Sequence, residues 1–176
     1  LLRRHIYERE RSANPGNSGY RKGVNVLQDR QTVLVVDDQA HHRSTLRGLL
    51  GSAYQVIEAA DGNEALQLIE GCFSRLALIL LDIDMPGIGG LEVLRTMGDR
   101  GWLKSIPVFL IIEEGKTENL AMAYELGVMD VVEKPFRPEV VRRRVDSVVE
   151  LYAHRFELER VVREQTAHIR ERGHPL

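Results

Sequence analysis

The stretch Leu78-Ile-Leu-Leu81-Asp82 is an apolar run that stops abruptly on a carboxylate, and Met85-Pro86-Gly87 then turns the chain away. An uninterrupted apolar run of this kind reads as a strand buried on both faces, which implies a parallel sheet covered by helices. Open sheets of that class place their reactive groups just beyond the carboxyl ends of the strands. An isolated Asp there could equally cap the following turn, but two further strands end in the same way. Val33-Leu-Val-Val36 runs into Asp37-Asp38, and Asp130-Val-Val-Glu-Lys134 ends on an ammonium followed by Pro135. Folding alone has no need to deliver three acids and a lysine to one sheet edge.

The rest of the chain supports the sheet. Strands are expected over Thr32–Val36, Tyr54–Ala59, Leu76–Leu81, Pro107–Ile112 and Asp130–Val132. Helices are expected over Gln39–Leu50, Asn63–Glu70, Leu91–Met97 and Thr117–Leu126, the last stopped by Gly127. This strict alternation with short connections argues a parallel sheet with helices on both faces. The fold class is therefore α/β, a flavodoxin-like five-stranded sheet in the order 2-1-3-4-5, which sets the first strand beside the third. Asp37, Asp38 and Asp82 then converge on one crevice.

Three segments are expected: a basic tail or linker over 1–30, a globular domain over 31–153, and a helical extension over 154–176. The first carries Arg3, Arg4, Arg9, Arg11, Arg21, Lys22 and Arg30 around Ser12-Ala-Asn-Pro-Gly-Asn-Ser-Gly19, the chemistry of a flexible linker or, alternatively, of a basic docking arm. A helix far longer than the fold requires begins at Pro138 and runs to about Glu171. Val141, Val145, Val148 and Tyr152 make a stripe that can cover the sheet. A heptad seam can be written along the same helix, with Val141, Val148, Arg155, Val162 and Ile169 at a and Arg144, Leu151, Leu158 and Gln165 at d. Its polar members make it a marginal coiled coil that would form a homodimer; the alternative is a solvated helix.

Composition excludes several functions. The 176 residues carry a formal net charge of −2, which gives no bulk pull toward nucleic acid. Cys72 is the single cysteine, ruling out an internal disulfide and suiting a reducing cytoplasm. No run approaches the roughly 18 apolar residues of a membrane span. The chain opens on Leu1 and closes inside a charged, helix-like stretch, so it is expected to be a piece of a longer protein.

Asp37-Asp38, Asp82 with Met85-Pro86-Gly87, and Lys134-Pro135-Phe136, in this order and spacing, resemble the receiver domain of two-component response regulators. The resemblance implies a signalling module, not itself an enzyme, whose Asp82 accepts phosphate from a histidine kinase. It implies Mg²⁺ held directly by Asp38, Asp82 and the backbone carbonyl of Asp84, with Asp37 acting through water. Lys134 would neutralise the transferring group, and the Lys134–Pro135 bond would be cis. Close carboxylates repel, and a hard cation with oxygen ligands relieves that repulsion. The segment from Pro138 to Thr166 also resembles the linkers that join some receivers to HD-type or GGDEF-type modules of cyclic-dinucleotide turnover, although no such motif is present here.

The chain also departs from that family. Ile112 stands where a Ser or Thr usually bonds a phosphoryl oxygen, and Val131 stands where an aromatic ring often reports activation. Glu113 and Glu114 put negative charge near the crevice, or else are solvated loop residues. A pseudo-receiver, a dimerisation or interaction module independent of phosphate, is therefore the alternative function. His154 and His168 lie on the long helix, but Arg155 and Ile169 follow them where a phosphoaccepting histidine of a kinase is followed by an acid. His41 and His42 read as surface residues without matched metal-ligand partners.

Overall fold

The structure, a computed structural model, describes residues 30–172. The basic residues 3–22 of the expected tail lie outside the described residues. Five parallel strands follow the order β2-β1-β3-β4-β5. They are β1 (Thr32–Val36), β2 (Gln55–Ala59), β3 (Leu76–Asp82), β4 (Val108–Glu113) and β5 (Asp130–Lys134). The helices are α1 (Ala40–Leu50), α2 (Gly62–Cys72), α3 (Gly90–Asp99), α4 (Leu120–Leu126) and α5 (Pro138–Arg172). A 3₁₀ turn, Trp102–Lys104, precedes β4.

Strand alternation divides the core in two. Leu34, Val36, Ile79, Leu81, Leu110 and Ile112 face α2, α3 and α4, packing on Ala65, Ile69, Leu94, Met97 and Ala123. Val33, Val35, Leu78, Leu80, Phe109 and Ile111 face the other way, onto Leu46 and Leu50 of α1 and Val141 and Val145 of α5. Every residue of β1 and β3 is buried, which is why their sequences show apolar runs with no alternation.

Element ends follow local chemistry. Asp61 caps α2 by accepting the Glu64 N–H at 2.9 Å, while the Glu64 carboxylate accepts the Ala60 N–H at 2.8 Å. Gly127 closes α4 at φ 104°, a left-handed conformation that glycine adopts without strain. The expected start of α4 at Thr117 is corrected to Leu120, because the Gly115 turn and the ion pair of Lys116 with Asp84 hold the approach outside helical geometry. Tyr54 leaves the second strand: its N–H bonds Leu50 O, and its hydroxyl donates to Asp146 of α5 at 2.6 Å. Strands β3 and β5 run further than expected, to Asp82 and Lys134, since each reactive residue pairs in the ladder with β4.

Gly90 sits where α3 starts against the end of β3. A Cβ there would lie 2.3 Å from the Asp82 carbonyl oxygen and 2.9 Å from the Ile83 Cα. Backbone cannot yield as a side-chain tip does. Gly90→Ala is therefore expected to cost about 1–3 kcal/mol, the range of an overpacked core. Urea denaturation checks this, and an unchanged midpoint would refute the close approach.

The last helix runs unbroken past the foot of the sheet. Val141 and Val145 are buried on the sheet, and Val148 and Tyr152 are half-buried. Below them, Arg30 donates to Ser105 O at 2.8 Å and stacks its guanidinium on Phe156, 4.4 Å from the ring centroid. Arg155 donates to Lys104 O and lies over the Tyr152 ring. Arg30 thus belongs to the foot of the domain rather than to the expected tail, and Arg155, an expected seam position, reaches the same foot. Arg144 likewise bonds Val131 O at 2.9 Å and pairs with Asp130.

Candidate phosphoacceptor site

At the carboxyl edge of the sheet, β1, β3 and β5 bring Asp37, Asp82 and Lys134 together, all three buried. The Lys134 ammonium donates to Asp82 Oδ2 at 2.7 Å and lies 3.2 Å from Asp37 Oδ2. The cis Lys134–Pro135 bond follows the lysine. Backbone donors fix both acids: Asp37 Oδ1 accepts the Gln39 N–H at 2.8 Å, and Asp82 Oδ1 accepts the Asp84 N–H at 3.2 Å. Asp38, the neighbouring residue, is exposed. Asp84 is exposed too, and its carboxylate pairs with Lys116 at 2.9 Å.

Two buried carboxylates share one buried ammonium, and the imbalance is visible in their affinities for protons. Burial, reinforced by the charge of Asp37, pushes the Asp82 carboxyl up to about 6 against the pull of Lys134. For Asp37 burial acts in the same upward direction, but the Gln39 N–H and the Lys134 ammonium outweigh it and hold the carboxyl below its ordinary value. Burial would lower Lys134, yet its bonds to the two acids keep it above the ordinary lysine range. At neutral pH the site is therefore two carboxylates and one ammonium, with residual negative charge. Residual charge on oxygen donors is what a hard divalent cation satisfies, so the donor set fits Mg²⁺.

One participant escaped the sequence reading, and one expected acid is placed at the crevice. His42 is not a free surface residue: its Nδ1 lies 3.0 Å from Asp37 Oδ2, and its side chain is 15% exposed. Its five-residue offset from Asp37 was the available signal, since one turn of helix folds that position back over the strand end. Glu113 reaches Lys134 at 3.5 Å because the β4–β5 register sets the two residues opposite each other. Glu114 and His41 are exposed, in keeping with the sequence. Ile112 is buried at the end of β4, and Val131 is half-buried beside the groove between α4 and α5.

Comparison with known proteins agrees with this geometry. Residues 33–146 match the response regulator receiver domain family. The chain is 36% identical over 118 residues to the transcriptional regulatory protein ResD of Bacillus subtilis, covering 66% of this chain and 47% of ResD. It is 32% identical over 120 residues to the cyclic di-GMP phosphodiesterase response regulator RpfG of Xanthomonas campestris, covering 68% of this chain and 32% of RpfG. The matched region is therefore less than half the length of either relative. Among solved structures, chemotaxis protein CheY4 of Vibrio cholerae superimposes with a TM-score of 0.61 at 27% identity, covering 68% of this chain and 98% of CheY4.

Proposed function

The chain belongs to the family of response regulator receiver domains, and from that premise we propose that Asp82 is its phosphoacceptor. The observation that carries this reading is the buried Asp82–Lys134 contact of 2.7 Å beside Asp37. An Asp82 carboxylate oxygen attacks the phosphorus of a phosphohistidine on a histidine kinase; the P–N bond breaks, and the imidazole leaves with a proton. Lys134 stays paired with the acid during attack and faces the charge that gathers on the phosphoryl oxygens. Asp82 and Asp38, with the Asp84 carbonyl, would hold Mg²⁺, and Asp37 would act through water. The cation supplies charge neutralisation on the phosphoryl group. Mg²⁺-dependent labelling of the intact chain by a small phosphodonor tests the reading: label is expected on Asp82 and lost in Asp82→Asn. Label that persists in the variant overturns it.

Ile112 supports a second reading, a receiver that no longer switches through phosphate. Its buried side chain offers no hydroxyl where a phosphoryl oxygen would need a donor. Ile112→Thr is expected to strengthen the coupling of phosphate to α4, because a hydroxyl can donate to the dianion. Amide shifts of residues 120–126 on adding a phosphoryl analogue measure this. Shifts no larger than wild type would show that the missing hydroxyl is not limiting.

The signal leaves, in this reading, through α5 to an output module of cyclic-dinucleotide turnover, a class to which RpfG belongs by its name. Leu151, Leu158, Val162 and Ile169 of α5 are exposed and follow the heptad d and a spacing. They form the seam of a homodimer in which the marginal face is completed by a second copy. Deleting 154–176 removes most of that seam and leaves Val141 and Val145 on the sheet. The truncated chain is expected to remain folded and become largely monomeric in sedimentation at matched concentration. A truncated chain as dimeric as the full one would move the interface onto the globular domain.

A further inference from the structure

His42 raises the question of which cation the crevice prefers, a question that rests on the reading of the crevice as a divalent-cation pocket. The Nδ1 atom lies 3.0 and 3.2 Å from the two Asp37 carboxylate oxygens. Two aromatic neighbours fix the ring: Phe136 meets it nearly edge-on at 5.8 Å between centroids, and His41 lies at 4.0 Å. One donor atom each from Asp37, His42 and Asp82 lies within 4.8 Å of the other two. Asp37 is already served by the Gln39 N–H and the Lys134 ammonium, so an imidazole is not needed to satisfy it.

Mg²⁺ selects oxygen ligands and gains little from nitrogen, whereas first-row transition ions bind imidazole well. We propose that this crevice takes a first-row transition ion of the Co²⁺ or Ni²⁺ class in preference to Mg²⁺, with His42 Nδ1 joining the Asp37 and Asp82 carboxylates as a ligand. Ligation needs the neutral ring with its proton on Nε2, so a proton that bridges Nδ1 and Asp37 before binding is released to water. Ligand bonds of about 2.0–2.2 Å allow two donors on one ion to stand about 4.4 Å apart at most, so the three side chains close slightly while the Lys134 ammonium gives up its 3.2 Å contact with Asp37 and keeps Asp82. Mg²⁺, drawing on oxygen donors alone, is indifferent to the imidazole.

The test is calorimetric titration of the full chain with Co²⁺ and, separately, with Mg²⁺. His42→Ala is expected to weaken Co²⁺ by about tenfold or more while leaving Mg²⁺ within about twofold. His42→Gln, which keeps a polar group beside Asp37, should lose Co²⁺ affinity in the same way. His154→Ala, on the exposed face of α5, should change neither ion, which controls for adventitious binding by other histidines. The visible absorption of bound Co²⁺ should shift in His42→Ala, because losing a nitrogen donor changes the ligand field of the ion. Equal losses for Co²⁺ and Mg²⁺ in that variant would reduce His42 to a support for Asp37 and overturn its role as ligand, as would an unchanged Co²⁺ affinity. A wild-type chain that binds neither ion would instead sink the cation-pocket reading beneath it.

Discussion

Lys134→Met is expected to destabilise the protein by about 3–5 kcal/mol at neutral pH, the cost of removing one partner from a buried ion pair. The methionine keeps most of the aliphatic stem, so the loss is that of the ammonium and not of packing. Asp37 and Asp82 are left buried beside each other with nothing to offset their charge. Acid should restore part of the loss, because the variant can discharge the strain by protonating Asp82, whose affinity for protons is already raised. Denaturant unfolding at pH 7.5 and pH 5 measures both effects. A variant that loses no stability at pH 7.5 would show that water, and not Lys134, compensates the acids. The loss should also be smaller in an Asp82→Asn background, since the two residues are in direct contact and their effects are not additive.

Asp82→Asn should abolish phosphate uptake and, in metal-free buffer, stabilise the fold. An unfolded Asp titrates near 3.9, whereas burial and Asp37 push the folded group up to about 6. Between these values the native state holds more protons than the unfolded state, so the contribution of Asp82 to stability falls as pH rises through this window. Above about pH 6 the full penalty remains, about 3 kcal/mol at most by the size of the shift. The amide carries no such penalty. The difference between variant and wild type should therefore be greatest above pH 6 and shrink toward pH 4. Asp37, held low, acts oppositely: its contribution is present above the ordinary carboxylate range and lost as acid reaches its lowered value. Adding Mg²⁺ should narrow the gap by stabilising wild type alone. A variant less stable than wild type at pH 7.5 without metal would contradict the account of a site built at the expense of stability.

Much of this was written in the linear chain. The apolar runs of β1 and β3 require burial on both faces, and burial on both faces requires the parallel, helix-covered sheet. Once that sheet is fixed, the Asp37-Asp38 pair, Asp82 and Lys134 are brought to one edge, because each stands at the carboxyl end of its strand. Strand and helix limits were less legible. Ladder pairing with β4, and not local preference, carries β3 to Asp82 and β5 to Lys134.

Side-chain commitments across elements lay beyond the sequence. Nothing in Asp37-Asp38 says which acid lies inward; the structure buries the first and exposes the second. The turn of α1 that sets His42 on Asp37, and the register that sets Glu113 rather than Glu114 by Lys134, depend on how a helix and a neighbouring strand come to rest on β1 and β5. The same holds for Arg30 and Arg155, charged residues that composition assigns to solvent. Their stems and planes lie on the rings of Phe156 and Tyr152, and their donors reach Ser105 and Lys104 carbonyls that only the folded sheet brings within range. Periodicity reports which face of an element is apolar, but it carries no record of the polar atom waiting on a distant one. The acids and lysine at the sheet edge were therefore fixed by sequence, while their partners, and the face on which α5 leaves the domain, were decided by tertiary packing.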